Sequence, residues 1–97
     1  VILHPDVQQL ATVLSKMEAL MREYGNEFWA EHLAACRRPI ERSDNYGLER
    51  FRSLLGGMGS LNDVVLTREG QALTEPNEKL DRLLTEAFEL SETLSKP

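Results

Sequence analysis

The chain has 97 residues, 41% of them hydrophobic and 28% charged, with a mean hydropathy of -0.36. This is the composition of a folded domain, and the length suits a single domain over 1–97 with one small core and little room for a deep cavity. The net charge of -5 excludes a general nucleic-acid binder, which needs a basic surface.

The charge is uneven: net -3 over residues 1–36, +1 over 37–70 and -3 over 71–97. Cys36 is the lone cysteine, so no intramolecular disulfide forms, as suits a reducing compartment. No run approaches the ~18 apolar residues of a membrane span. The opening Val1-Ile2-Leu3-His4-Pro5 lacks the basic segment of a signal peptide and is interrupted by proline. Together these features set the expectation of a cytoplasmic protein that binds no membrane.

The first helix is expected from about Pro5 to Tyr24. Val7, Leu10, Leu14, Met17, Met21 and Tyr24 alternate spacings of three and four, which places them on one helical face. Gly25 suits a left-handed C-cap. Asn26 can cap a second helix reaching about Arg37, with Trp29, Leu33 and Cys36 as its stripe. The tight Gly25-Asn26 joint makes these helices antiparallel neighbours. Pro39 is read as the stop, and Pro39–Gly47 as a polar linker.

A third helix is expected over Tyr46–Leu55, with Gly56 and Gly57 ending it. Three glycines fall within Gly56-Gly57-Met58-Gly59, implying left-handed backbone angles or close backbone contact. In Ser60-Leu61-Asn62-Asp63, a capping pattern lets Asp63 reach back to the Ser60 amide. Val64–Thr67 reads as a short strand pairing with Gln71–Leu73 around Glu69-Gly70. The last helix runs from about Pro76 to Leu94, capped by Thr74 or Glu75, with Leu80, Leu83, Leu84, Ala87, Phe88, Leu90 and Leu94 as a broad apolar face. Leu14, Met17, Trp29, Leu33, Phe51, Leu84 and Phe88 are expected to be buried in one cluster. The predicted fold is therefore all-α or nearly so: a compact bundle of about four helices, with a short hairpin after a glycine-rich loop.

Little in the chain carries catalysis. His32 and Cys36 supply half of a zinc site at most, and His4 is the only other histidine. Ser60 near Asp63 has no histidine at a motif spacing. Glu27 with Glu31 and Glu86 with Glu89 read as solvated helix faces. Arg37, Arg38, Arg42, Arg50 and Arg52 are interspersed with Glu41, Asp44 and Glu49, a mixed-charge surface more than an RNA groove. Met17, Met21 and Met58 read as core fill. The glycine-rich stretch is a structural turn, a partner-contacting loop or a phosphate cradle. It lacks the lysine of a Walker motif and the spacing of a dinucleotide fingerprint. No metal or cofactor is implied, and the expectation is a protein that is not an enzyme.

The run Leu54-Leu55-Gly56-Gly57-Met58-Gly59-Ser60-Leu61-Asn62-Asp63-Val64-Val65-Leu66, with Trp29-Ala30-Glu31-His32-Leu33 upstream, resembles a family of small bacterial proteins of unknown function. Its signature is Gly-Gly-Met-Gly-Ser-Leu/Phe-Asn-Asp, its upstream helix carries a Trp followed by Leu, and a long acidic helix closes it. The resemblance covers roughly Val7 to Leu94 and supplies no catalytic residues. By analogy, members look like the small acidic proteins found beside bacterial toxin genes. What this implies is a non-catalytic protein-binding module, an immunity-type inhibitor of a toxin domain with a basic surface. The alternative is a small-ligand or nucleotide-phosphate binder using the Gly56–Asp63 loop. Candidate contact residues are Gly57, Met58, Ser60, Asn62, Asp63, Glu78, Asp81, Glu86 and Glu89. If the first and last helices pack together, Glu18, Glu23, Glu78, Asp81, Glu86 and Glu89 are expected to form one acidic field.

Overall fold

The computed structural model describes residues 4–56 and 59–95. Helix α1 spans Pro5–Glu23. The imidazole of His4 accepts from the Asp6 amide at 3.1 Å, and Pro5 fills the first turn, where its missing N–H costs nothing. At the other end the Gly25 amide donates to the Arg22 carbonyl and the Asn26 amide to the Met21 carbonyl, with Gly25 at φ 77°. This paired closure is a Schellman cap. Asn26 then opens α2 (Glu27–Glu41), its side chain accepting from the Trp29 amide. One residue thus ends one helix and starts the next.

Helix α2 runs a turn further than the proline suggests. Pro39 lies inside it and is buried, as is Ile40. A proline within a helix forgoes one hydrogen bond, and burial of these two side chains offsets that loss. The true stop is again a Schellman cap, with the Asp44 amide on the Pro39 carbonyl and the Ser43 amide on the Ile40 carbonyl. Ser43 takes the left-handed position at φ 59°, which a sequence reader expects of glycine. Asp44 repeats the part of Asn26: its carboxylate accepts from the Tyr46 amide and caps α3 (Asn45–Ser53). The expected polar linker of Pro39–Gly47 therefore shrinks to residues 42–44.

After α3 the chain turns through Gly56 and Gly59, both at positive φ (82° and 77°), as the glycine content requires. A single 3-10 turn follows at Leu61–Asp63. Residues 64–66 carry no strand, although the Leu66 carbonyl accepts from the Leu73 amide, so the expected strand at Val64–Thr67 is displaced. The hairpin is β1 (Thr67–Arg68) against β2 (Gln71–Ala72), with Thr67 opposite Ala72 and Arg68 opposite Gln71. Glu69 and Gly70 both have positive φ (53° and 79°), the mark of a type I′ turn. Helix α4 covers Thr74–Ser95, beginning two residues before Pro76.

The architecture is the all-α bundle of four helices with its short hairpin. Helix α1 packs against both α2 and α4, and α3 lies on α2. Ion pairs run in opposite order along α1 and α2, Arg22 to Glu27 and Glu31, and Glu18 to Arg37, so the two are antiparallel. One apolar cluster joins Leu10, Leu14, Met17, Met21, Leu33 and Phe51 with Leu61, Leu66, Leu80 and Ala87. Three expected members differ. Trp29 and Leu84 are half-buried, and Phe88 is 43% exposed. The apolar face of α4 is wider than α1 can cover, so its margin stays in water. Among the described residues, no helix is long and apolar enough to cross a membrane.

Candidate functional site

The glycine loop is held by its own side chains. The Gly56 amide donates to Asn62 Oδ1 at 2.8 Å, and the Gly59 amide to Asp63 Oδ2 at 2.7 Å. Asp63 thus reaches back to the Gly59 amide. The Ser60 carbonyl accepts from the Asp63 amide, and the Ser60 hydroxyl lies 3.4 Å from Asn62 Oδ1 without acting as a helix cap. The Leu61 amide closes the base on the Leu54 carbonyl at 2.9 Å. A phosphate cradle needs inward backbone N–H groups that are free. Here two such groups are taken, one of them by a carboxylate that repels an anion. Gly57 and Met58, both expected at this site, lie outside the described residues.

A groove of about 500 Å³ opens between this loop, the hairpin and the first half of α4. Asn77 builds it. Its side-chain amide donates to the carbonyls of Leu66 (2.9 Å) and Leu73 (2.6 Å), and its oxygen accepts from the Leu66 amide (2.7 Å). The Leu73 amide also donates to the Leu66 carbonyl at 3.1 Å. Asn77 therefore stands in for the missing rung of the hairpin ladder and rivets the hairpin to α4. Arg68 adds a second tie, its guanidinium 5.0 Å from the centre of the Tyr24 ring.

Leu61, Val64, Leu80 and Leu84 give the groove an apolar lining, and among the described residues Glu78 and Asp81 are its only charged ones. Both carboxylates are exposed. Val65, 57% exposed, lines the same groove, and Phe88 follows Leu84 one turn along α4.

The structure separates the carboxylates into two groups. Glu18 is only 7% exposed and is held by the Arg37 guanidinium, which also pairs with Glu41. Glu18 thus leaves the expected acidic field. Its hydrogen bond holds Arg37 above the ordinary guanidinium value. Glu27 and Glu31 share Arg22, and Glu86 accepts from Gln9 on α1 at 2.9 Å. On α4, by contrast, the carboxylates of Glu75, Glu78, Asp81, Glu89 and Glu92 have no hydrogen-bond or ion-pair partner among the described residues. At 100° per residue, Glu78 and Glu89 fall within about 20° of each other on the helix.

Of the expected contact residues, the groove gathers Asn62, Glu78 and Asp81. Ser60 and Asp63 serve the adjacent loop, Glu89 lies further along α4, and Glu86 is turned to α1. Sequence reasoning missed Asn77, whose role depends on a hairpin eleven residues back. It also missed exposed Phe28 (65%), which meets the His32 and Trp29 rings edge-on, while Trp29 and His32 lie tilted to each other. His32 is thereby an aromatic contact, while Cys36 is fully buried in the core. Burial pushes the Cys36 thiol up to about 11; Arg50 pulls it down and Glu18 raises it. Three of the arginines take separate partners: Arg37 joins Glu18, Arg50 meets the Tyr46 hydroxyl and Arg52 meets Ser91.

The fold and groove define a small helical protein with a surface cleft beside a side-chain-braced loop. A family model described as a domain of unknown function (DUF6966) matches residues 22–74, which is more than half of the chain, and the protein belongs to that family. The matched stretch runs from the end of α1 through α2, α3, the glycine loop and the hairpin to the first residue of α4. No curated protein matches the chain, and no solved structure does.

Proposed function

We propose that this protein is a non-catalytic protein-binding module, an immunity-type inhibitor that binds and neutralises a toxin domain with a basic surface in the bacterial cytoplasm. The observation that carries the reading is the set of unpaired carboxylates on α4. Carboxylates that serve the fold are tied to Arg22, Arg37, Gln9 or backbone amides, whereas those of α4 other than Glu86 are left to solvent, Glu78 and Asp81 at an apolar groove. Such a surface steers a basic partner and suits the phosphate-binding face of a nuclease or nucleotide-binding toxin. Beside the groove, Asn62 and Asp63 support the role by holding the Gly56 and Gly59 amides.

The test is co-expression with the product of the neighbouring gene, followed by binding measurements at low and moderate salt. The expected result is a stable complex whose association slows as salt rises, since charges more than a Debye length apart, about 10 Å at 0.1 M, are screened. Absence of any protein partner, together with clear thermal stabilisation by a nucleotide or metabolite, would replace this reading with ligand binding. A ligand at 100 times its dissociation constant adds about 2.7 kcal/mol.

A further inference from the structure

Resting on the protein-binding reading above, we infer that the groove between residues 61–65, the hairpin and α4 is the docking site for a short extended partner segment carrying an apolar side chain flanked by lysine or arginine. The lining provides both halves of that description. Its floor is Leu61, Val64, Leu80 and Leu84, and its charged groups are Glu78 and Asp81, with no lysine or arginine among the lining residues. An acidic segment would meet uncompensated repulsion there. A purely charged one would leave the apolar floor wet, and a purely apolar one would leave both carboxylates facing nothing.

The dimensions favour a segment rather than a single group. From Glu78 to Phe88 the helix rises about 15 Å, a length matched by four or five extended residues at about 3.3 Å each. Exposed Val65 and Phe88 (57% and 43%) widen the apolar surface beyond the lining leucines, so a second apolar residue two positions along the segment has a place to rest. The groove is also preformed. Asn77 fixes one wall to the other through three hydrogen bonds, and Asn62 and Asp63 brace the loop, so docking orders the ligand more than the protein.

The probe is the peptide acetyl-Lys-Leu-Arg-Leu-Lys-amide, titrated into the isotope-labelled chain with amide shifts as the readout. The controls replace both leucines by serine, or all three basic residues by glutamate. The expected result is shifts centred on Val64, Val65, Ala72, Asp81 and Leu84, absent with either control. In the variant combining Glu78→Gln and Asp81→Asn, whose exposed positions leave the spectrum folded, affinity should drop roughly tenfold. Shifts centred elsewhere, equal binding of a control, no binding by any peptide, or an unchanged affinity in the double variant each overturn the groove assignment. A protein partner that binds the double variant as tightly as the parent removes the groove but keeps the protein-binding reading. Peptide binding in the groove without any protein partner does the reverse.

Discussion

Gly47 lies where α3 crosses α2, and a Cβ there would fall on the Cys36 carbonyl oxygen, with Ile40 Cγ1 at 2.8 Å and the Ile40 amide nitrogen at 2.9 Å. Two effects compete in Gly47→Ala. Helix propensity favours alanine by about 1 kcal/mol, while overpacking against backbone costs about 1–3 kcal/mol. The steric cost wins because two of the three neighbours are main-chain atoms that move only with their helix. Urea unfolding should show Gly47→Ala destabilised, against the gain expected at an exposed helical glycine. Next to this crossing, the Cys36 thiol is set for a pH effect of definite sign. Its pKa rises from 9.0 to about 11 on burial, so between these values the unfolded chain has released a proton that the folded chain retains. Stability is therefore complete below pH 9 and falls as pH rises through 11, by about 3 kcal/mol if the whole shift is expressed. The slope over this window should be shallower in Cys36→Ala, measured by unfolding at several pH values.

At the scale of elements, the hairpin is the fragile piece. Its strands are two residues each and fully exposed, and a lone two-stranded ribbon is marginal in water. Asn77 supplies what the ribbon lacks. Asn77→Ala leaves the part-buried Leu66 amide and two carbonyls without these partners, and an orphaned buried group costs about 1–3 kcal/mol. The expected outcome is faster hydrogen exchange at Leu66 and Leu73 together with a lower melting temperature. Unchanged exchange at Leu66 would show that the hairpin holds itself. The element ends show how much was legible. The Gly25 stop and the Asn26 cap are local chemistry and could be read directly. The extent of α2 could not, because Pro39 signals a stop while burial of Pro39 and Ile40 pulls the helix onward and Ser43 takes a glycine's role. Likewise Val64-Val65-Leu66 has strand composition, yet the strand begins only at Thr67, with Leu66 joined to Leu73 by a single backbone bond, and the Glu69-Gly70 turn fixes the register.

For the molecule as a whole, the decisive division is between carboxylates the fold uses and those it leaves free. Replacing Glu78, Asp81 and Glu89 together by their amides removes three exposed charges of one sign from a chain of net charge -5. Exposed charges of this kind contribute at most about 1 kcal/mol each, and here they repel one another, so the melting temperature should stay level or rise. Association with a basic partner should slow at low salt, with the difference closing as salt is raised. A fall in stability would instead mean that these side chains support the fold. Glu18 gives the contrast: its carboxylate is buried against part-exposed Arg37, and removing Arg37 would leave it uncompensated, at a cost of up to about 3–5 kcal/mol.

What the sequence by itself determined is everything governed by a residue and its near neighbours along the chain. This includes the four helices, from three-and-four periodicity; the turns at Gly25, Gly56 and Gly59, from the need for positive φ; and the burial of Leu14, Met17, Leu33 and Phe51. Tertiary structure alone decided which part of each apolar face finds a partner. Trp29, Leu84 and Phe88 share the periodicity of core residues, but α4 presents more apolar width than α1 covers, so Phe88 faces water and Leu84 borders a groove. The same holds for charge. Glu18 and Glu78 are alike in sequence terms, and they part company because α2 brings Arg37 to one, while among the described residues no cation forms an ion pair with the other. Periodicity specifies direction around a helix axis; what stands in that direction depends on how distant segments pack.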